Sequence, residues 1–256
     1  VNCEQNRDIM GMLQAWQRLK DGERKQEETA MDLVEAISQR RSIRAFKPDP
    51  VPKSVLSEIL ELALRAPSWA NTQPWEFAVV GGETLDELRQ AFLEREVQGS
   101  DADLPGPREF PEPFKRRRGG LFTEVARVMG MMKDAAQGGW WQSQGLRLYG
   151  APAAIFIYTD RSFYFQGDTT NVWPVFDCGL IAENIMLLAT RYGLGTIAQA
   201  QAVRHPTVVR QLLGIPESKL LLLGIAIGYP DWDNPMNTVR SERDPVDAVA
   251  TWHGFD

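Results

Sequence analysis

The stretch that most constrains the fold runs from residue 174 to 192, "PVFDCGLIAENIMLLATRY". It reads as a helix that is apolar on nearly every side. Such a helix must be covered all round, in a core or at a subunit interface. No run of 18 apolar residues occurs in the sequence, so no membrane span is read. A chain of 256 residues, 43% hydrophobic and 24% charged, is long enough to bury it without a disulfide or a metal.

The segments around it alternate irregularly between helical and extended patterns. "MDLVEAISQRR" sets Leu33, Val34 and Ile37 at helical spacing. "VPKSVLSEILELALRAP" is the clearest helix: Pro52 suits its first turn, Val55, Ile59, Leu62 and Ala66 form an apolar row, and Pro67 stops it. "WEFAVVGG" reads as a buried strand ended by glycines, and "ETLDELRQAFLEREVQ" as an amphipathic helix. A loop rich in Pro, Gly and charge is expected over residues 99–119, then a helix in "LFTEVARVMGMMKDAAQ". "APAAIFIYTD", "LGTIAQ" and "KLLLLGIAIGY" read as strands, with a helix "PTVVRQLLG" between the last two. In the tail after Pro230, "VDAVATW" is a candidate edge strand. Residues 1–30 read as a helical arm with a charged linker, either a solvated extension or a clasp for a partner.

Several chemistries are disfavoured. Cys3 and Cys178 are far apart and no CxxC occurs, so neither a zinc site nor a redox dithiol is suggested. His205 and His253 are too few for a His-rich metal site. A net charge of -6 argues against general nucleic-acid binding. The first residues lack a signal-peptide apolar core, which with low cysteine use points to the cytoplasm. Neither GxGxxG after a strand nor GxxxxGK[ST] is present, and no Ser-His-Asp arrangement is evident.

Three stretches carry chemistry. "RRSIRAF", residues 40–46, packs Arg40, Arg41, Ser42 and Arg44 into five residues of an acidic chain. Guanidinium forks and a hydroxyl suit a phosphate, though basic residues also favour a helix C-terminus. "APSWANTQPWEF", residues 66–77, sets Ser68, Asn71, Thr72 and Gln73 among prolines and tryptophans. It is either a polar connection or a set of amides and hydroxyls that read the edge of a flat heteroaromatic ring. "GLGTIAQAQ", residues 193–201, permits close backbone approach. "NTVRSERDP", residues 237–245, adds Arg240 and Arg243.

Together these stretches resemble the nitroreductase family of flavin enzymes, over roughly residues 31–256. The resemblance implies an α+β fold with a central antiparallel sheet and a long buried central helix. It implies FMN bound at a homodimer interface, with residues 31–256 as the FMN-binding domain. Arg40, Arg41 and Ser42 match positions that hold the ribityl phosphate and the flavin's polar edge, and Arg44 a basic position near the pyrimidine side. Pro67, Ser68, Trp69 and Asn71, with Gln73 close by, match a loop supplied by the other subunit. Ala198, Gln199 and Ala200 match a segment whose backbone lies along the flavin. Arg243, and less securely Arg240, match phosphate-binding positions. The implied activity is hydride transfer from NAD(P)H through flavin N5 to a nitroaromatic, quinone or related conjugated acceptor, by a ping-pong route. Arg44 would stabilise the reduced ring. Flavin-dependent reductive dehalogenation and non-catalytic flavin storage or sensing are the alternatives.

The chain also departs from the family pattern. Trp69 is bulkier than the small residue of many members, and neither the arm nor "PGPREFPEPFKRRRGG" has a firm counterpart. The "RRR" at 116–118 is either a solvated charge run or an attractor for an acidic substrate or the extra phosphate of NADPH. Trp140 and Trp141 belong either to a substrate pocket or to a core or interface.

Overall fold

The computed structural model describes residues 31–130 and 139–255. The arm expected over residues 1–30, the end of the helix expected through residue 137 and the side chain of Trp140 lie outside the described residues.

The elements follow in the order α1 (Leu33–Gln39), α2 (Lys53–Ala63), β1 (Glu76–Gly81), α3 (Gly82–Glu96), α4 (Phe114–Met129), α5 (Gly139–Leu146), β2 (Ala153–Asp160), α6 (Arg161–Tyr164), β3 (Phe165–Gln166), β4 (Thr169–Thr170), α7 (Trp173–Arg191), β5 (Gly195–Gln199), α8 (Pro206–Leu213) and β6 (Lys219–Gly228). Four strands form one antiparallel sheet in the order β1-β2-β6-β5, and β3 pairs with β4 as a separate ribbon.

The period-2 alternation of the central strands divides the core into two layers. Ile155 and Ile157 of β2, with Ile225 and Ile227 of β6, face Leu56, Ile59 and Ala63 of α2 and Ile181, Ile185 and Ala189 of α7. Ala154, Phe156 and Ala226 face the other way, onto Leu85, Leu88 and Phe92 of α3 and Val208 and Val209 of α8. Each large side chain so buried contributes about 1.5–3 kcal/mol. This is the α+β arrangement expected, with the long helix across one face of the sheet.

The sequence expectations fail in instructive places. β1 is an edge strand with only Val80 buried, because its run of apolar residues pairs on one side alone. α4 begins at Phe114, so the arginines at 116–118 are helical and not part of a loop. α2 ends at Ala63, before Pro67 is reached. "VDAVATW" forms a short 3-10 turn over Val246–Ala248 in place of a strand.

One stripe of α7 is buried, but Trp173 and Phe176 near its start are exposed, as are Leu33, Val34 and Ile37 of α1. The apolar residues of the 174–192 stretch are therefore mostly covered within one chain, and Phe176 is the one left exposed. Among the described residues no helix is long and apolar enough to cross a membrane.

Candidate functional site

The arginine segment leaves α1 at Arg40 and runs in extended form beside β5. Ser42 bridges Thr196 in the parallel sense, and the Ile43 N–H donates to the Thr196 carbonyl at 2.9 Å. Farther on, the Lys47 N–H donates to the Tyr229 carbonyl at 2.8 Å. Gly195 makes this approach possible: a Cβ there would lie 2.5 Å from Ile43 Cγ1 and 2.9 Å from Pro230 Cγ. The apolar residues Ile43 and Ala45 point into the core, which leaves the polar residues of the alternation on the other side.

The tail holds the segment from its far side. Asn237, almost fully buried, accepts the Arg44 N–H at 2.7 Å through Oδ1. Its amide donates to the carbonyls of Ala45 at 2.8 Å and Asp231 at 2.7 Å. This clip brings the tail arginines alongside the first cluster. The result is a cavity of about 660 Å³ whose walls include Arg40, Arg41, Ser42, Arg44, Arg240 and Arg243, within the size range of small-molecule sites.

The charge in this cavity is unbalanced. Glu183 of α7 is the carboxylate in the wall, 3.5 Å from Arg40 Nε. Arg41 stacks on Trp232 at 4.7 Å, and Arg44 lies over the Trp141 ring at 5.2 Å. Nε of Arg41 and Nε of Arg44 are both buried with no hydrogen-bond partner. Burial, and then the charge of Arg240, lower the pKa of Arg41; burial lowers that of Arg44, against the opposing effect of Tyr149. Gathered cations with donors left over suit an anion.

The other expected residues sit elsewhere. Ala198 and Gln199 end β5 and Ala200 follows it; the strand runs the same way as the arginine segment from the Ser42 bridge. The Gln199 side chain is buried with both amide atoms unpartnered. The loop from Pro67 to Gln73 is not in the wall of the arginine cavity. It is held in an unusual shape: Ala70, Asn71 and Gln73 have left-handed φ of 48°, 59° and 45°. The Trp69 N–H donates to buried Asp177 of α7 at 3.0 Å, and the Gln73 N–H to Ser68 Oγ at 3.0 Å. Trp69 itself is 54% exposed. These left-handed residues are held by the Asp177 and Ser68 hydrogen bonds around them.

Sequence reasoning missed Asn237 and Glu183. Asn237 opens the quoted tail motif, yet a turn asparagine looks the same as a clip. Glu183 carries no signal at all, because its place in the cavity follows from the rotation of α7.

Comparison with known proteins identifies the family. The family model described as "Nitroreductase family" matches residues 37–229. Nitroreductase NfnB of Mycolicibacterium smegmatis is 33% identical over 223 residues, covering 83% of this chain and 91% of that protein. A 4-nitrobenzoate reductase of a Nocardioides species is 30% identical over 232 residues, 87% of this chain and 91% of its own. Among solved structures, the FMN and NADPH-dependent nitroreductase NfnB from "sphigopyxis sp. strain HMH" superposes with a TM-score of 0.80 at 32% identity, over 88% of this chain and all of that one. With the family model matching residues 37–229 and relatives 30–33% identical over more than four fifths of its length, the chain belongs to the nitroreductase family.

Proposed function

We propose that this protein is an FMN-dependent NAD(P)H oxidoreductase acting on nitroaromatics, quinones or related conjugated acceptors. The observation that carries the reading is the cavity in which Arg40, Arg41 and Arg44 meet Arg240 and Arg243 from the opposite end of the chain, with Nε of Arg41 and Nε of Arg44 unpartnered. The relatives support it: two of the similar proteins carry FMN, NADPH or nitrobenzoate in their descriptions.

In this reading Arg40, Arg41, Ser42, Arg240 and Arg243 hold the phosphate and polar chain of FMN, and Arg44 faces the pyrimidine side of its ring. The unpaired amide of Gln199, with Ala198 and Ala200, lies along the flavin. FMN, when bound, would supply the redox chemistry of hydride transfer between NAD(P)H and the acceptor. The chain's own contribution is a fixed positive field in a partly dry site, where it favours the added negative charge more than water does.

The exposed loop with Pro67, Ser68, Trp69, Asn71 and Gln73 completes the site of a second copy. A homodimer with shared sites is therefore part of the proposal, and it accounts for the uncovered apolar residues of α1 and α7. Residues 31–256 form the FMN-binding domain, and the cytoplasm is the compartment that fits it. Trp69 narrows the acceptor slot.

The absorption spectrum of purified protein tests the cofactor directly, and steady-state NAD(P)H oxidation with a nitroarene present tests turnover. A colourless protein that does not take up FMN would overturn the reading. Bound FMN without acceptor-dependent turnover would leave a storage or sensing protein.

A further inference from the structure

We propose that Trp141 and Tyr149 are positioning residues that clamp the Arg44 guanidinium and thereby set how strongly the site prefers reduced over oxidised FMN. This rests on the flavin reading above. Arg44 is held at several points. Its backbone N–H is tied to Asn237 at 2.7 Å, and its Nη1 donates to the Ser42 carbonyl at 3.2 Å. Its guanidinium covers the Trp141 ring at 5.2 Å, and Tyr149 is its polar neighbour. The Trp141 and Tyr149 rings meet edge to face at 6.2 Å. Trp141 is braced in turn by Phe122 of α4 at 5.0 Å, and the Arg118 guanidinium lies over the same Phe122 at 4.8 Å.

The backbone beneath Tyr149 is the second sign of a built arrangement. Leu148 and Tyr149 are both buried and both left-handed, with φ of 52° and 53°. Such residues persist where their surroundings over-determine them. The turn they make sets the Tyr149 ring beside Arg44 and Trp141.

The chemistry of the clamp is specific. Elsewhere in this site a cation is steadied by a carboxylate, as Glu183 steadies Arg40. A carboxylate on Arg44 would cancel the charge that the reduced ring needs. An aromatic face attracts a guanidinium without neutralising it. The Tyr149 hydroxyl is pushed up to about 12, by burial first and against the pull of Arg44, so it keeps its proton at working pH. Both partners thus fix Arg44 while leaving its full charge to act.

The test uses the full-length flavin-loaded protein and the ratio of its affinities for reduced and oxidised FMN, read as the bound flavin's midpoint potential. Tyr149→Phe keeps the ring and removes the hydroxyl, and Trp141→Leu removes the aromatic face. Each should lower the preference for reduced FMN several-fold. Together they should lower it about tenfold, or about 30 mV for a two-electron couple. Arg44→Ala should lower it at least as far. A purely structural role would weaken both redox forms equally and leave the ratio alone. If Tyr149→Phe leaves the ratio within twofold while Arg44→Ala lowers it, the clamp is refuted and the flavin reading stands. If Arg44→Ala leaves it unchanged, Arg44 does not act on the flavin, and the clamp falls with the reading it rests on.

Discussion

Two clusters of charge in this chain use the same residue types to opposite ends. Around α8, Glu96 accepts two hydrogen bonds from Arg204 Nε and one from Nη2, at 2.9 to 3.2 Å, and sits 2.7 Å from His205 Nε2. Asp101 takes the Thr207 hydroxyl at 2.6 Å, His205 Nδ1 at 3.3 Å and Arg95 at 3.7 Å. Every cation there has a carboxylate within ion-pair range, even Arg95, whose Nη1 makes no hydrogen bond. In the arginine cavity the cations outnumber the carboxylates, and Nε of Arg41 and of Arg44 are buried with no hydrogen-bond partner among the described residues. The contrast teaches that charge density alone does not mark a ligand site. What marks it is charge left unanswered by the chain.

The largest expected effect is on the unbalanced side. Replacing both Arg40 and Arg243 by Ala removes two charge-assisted contacts to the phosphate, together about 3–6 kcal/mol, so FMN affinity should fall more than a hundredfold. The flavin-free melting temperature should hardly move. Arg40 loses only a pair with half-exposed Glu183, and Arg243 bonds only to Ser241 and Glu242 beside it. Full flavin occupancy in the double variant would erase the distinction between the clusters.

On the balanced side, Glu96→Gln keeps the volume but strands Arg204 and fully buried His205. Unfolding should become easier by about 3 kcal/mol, measured by urea titration of flavin-free protein. The folded fraction should bind FMN as before. A large change in FMN affinity with unchanged stability would reverse the assignment.

A smaller effect sharpens the link between backbone packing and the site. Gly195→Ala sets a Cβ against Ile43 and Pro230, so the arginine segment must shift. Overpacking of this sort costs about 1–3 kcal/mol. Because the displaced residues precede Arg44, FMN should be lost at the same time, which Glu96→Gln should not do. Stability lost with FMN binding intact would show that the segment can move without disturbing the cavity.

Much of this arrangement was legible beforehand, and the exceptions have physical reasons. An apolar row at helical spacing located α2, an apolar stretch on nearly every side located α7, and the apolar runs of β2 and β6 read as strands, because such patterns are decided by near neighbours in sequence. The edge position of β1 was hidden, since Phe77 to Val80 reads the same whether one side pairs or two. The start of α4 was hidden too. "KRRRGG" has two glycines and no cap, and its helix is steadied from afar by Arg117 on Asp244 and by Arg118 between Phe110 and Phe122. The convergence of residues 40–44 with 237–243 could not come from spacing. It was implied by the family resemblance, and the structure explains it through Asn237. The loop at 66–73 stays outside the cavity wall, and only the proposed dimer would bring it to a site, that of the neighbour.

The smallest expected effect is a pH dependence that only the balanced cluster should show. Burial by itself raises the Glu96 carboxyl, but hydrogen bonds and charge from Arg204 and His205 outweigh it and hold the group below its ordinary value. Asp101 behaves alike: burial raises it, and Thr207, His205, Arg95 and its own backbone N–H bring it lower. A depressed carboxylate gives its stability above the ordinary value and loses it as pH falls through the folded one. Stability of the flavin-free protein should therefore be held at neutral pH with respect to these groups and decline below about pH 4.5, the ordinary value for Glu96. The arginines of the cavity stay charged throughout that range and add nothing to the slope. Glu96→Gln should flatten the acid limb, whereas Arg40→Ala with Arg243→Ala should leave it as steep as before. If the Gln variant loses stability with acid as fast as the parent chain, the cluster at α8 is not what acid attacks, and its carboxylates are no more committed to the fold than the exposed ones.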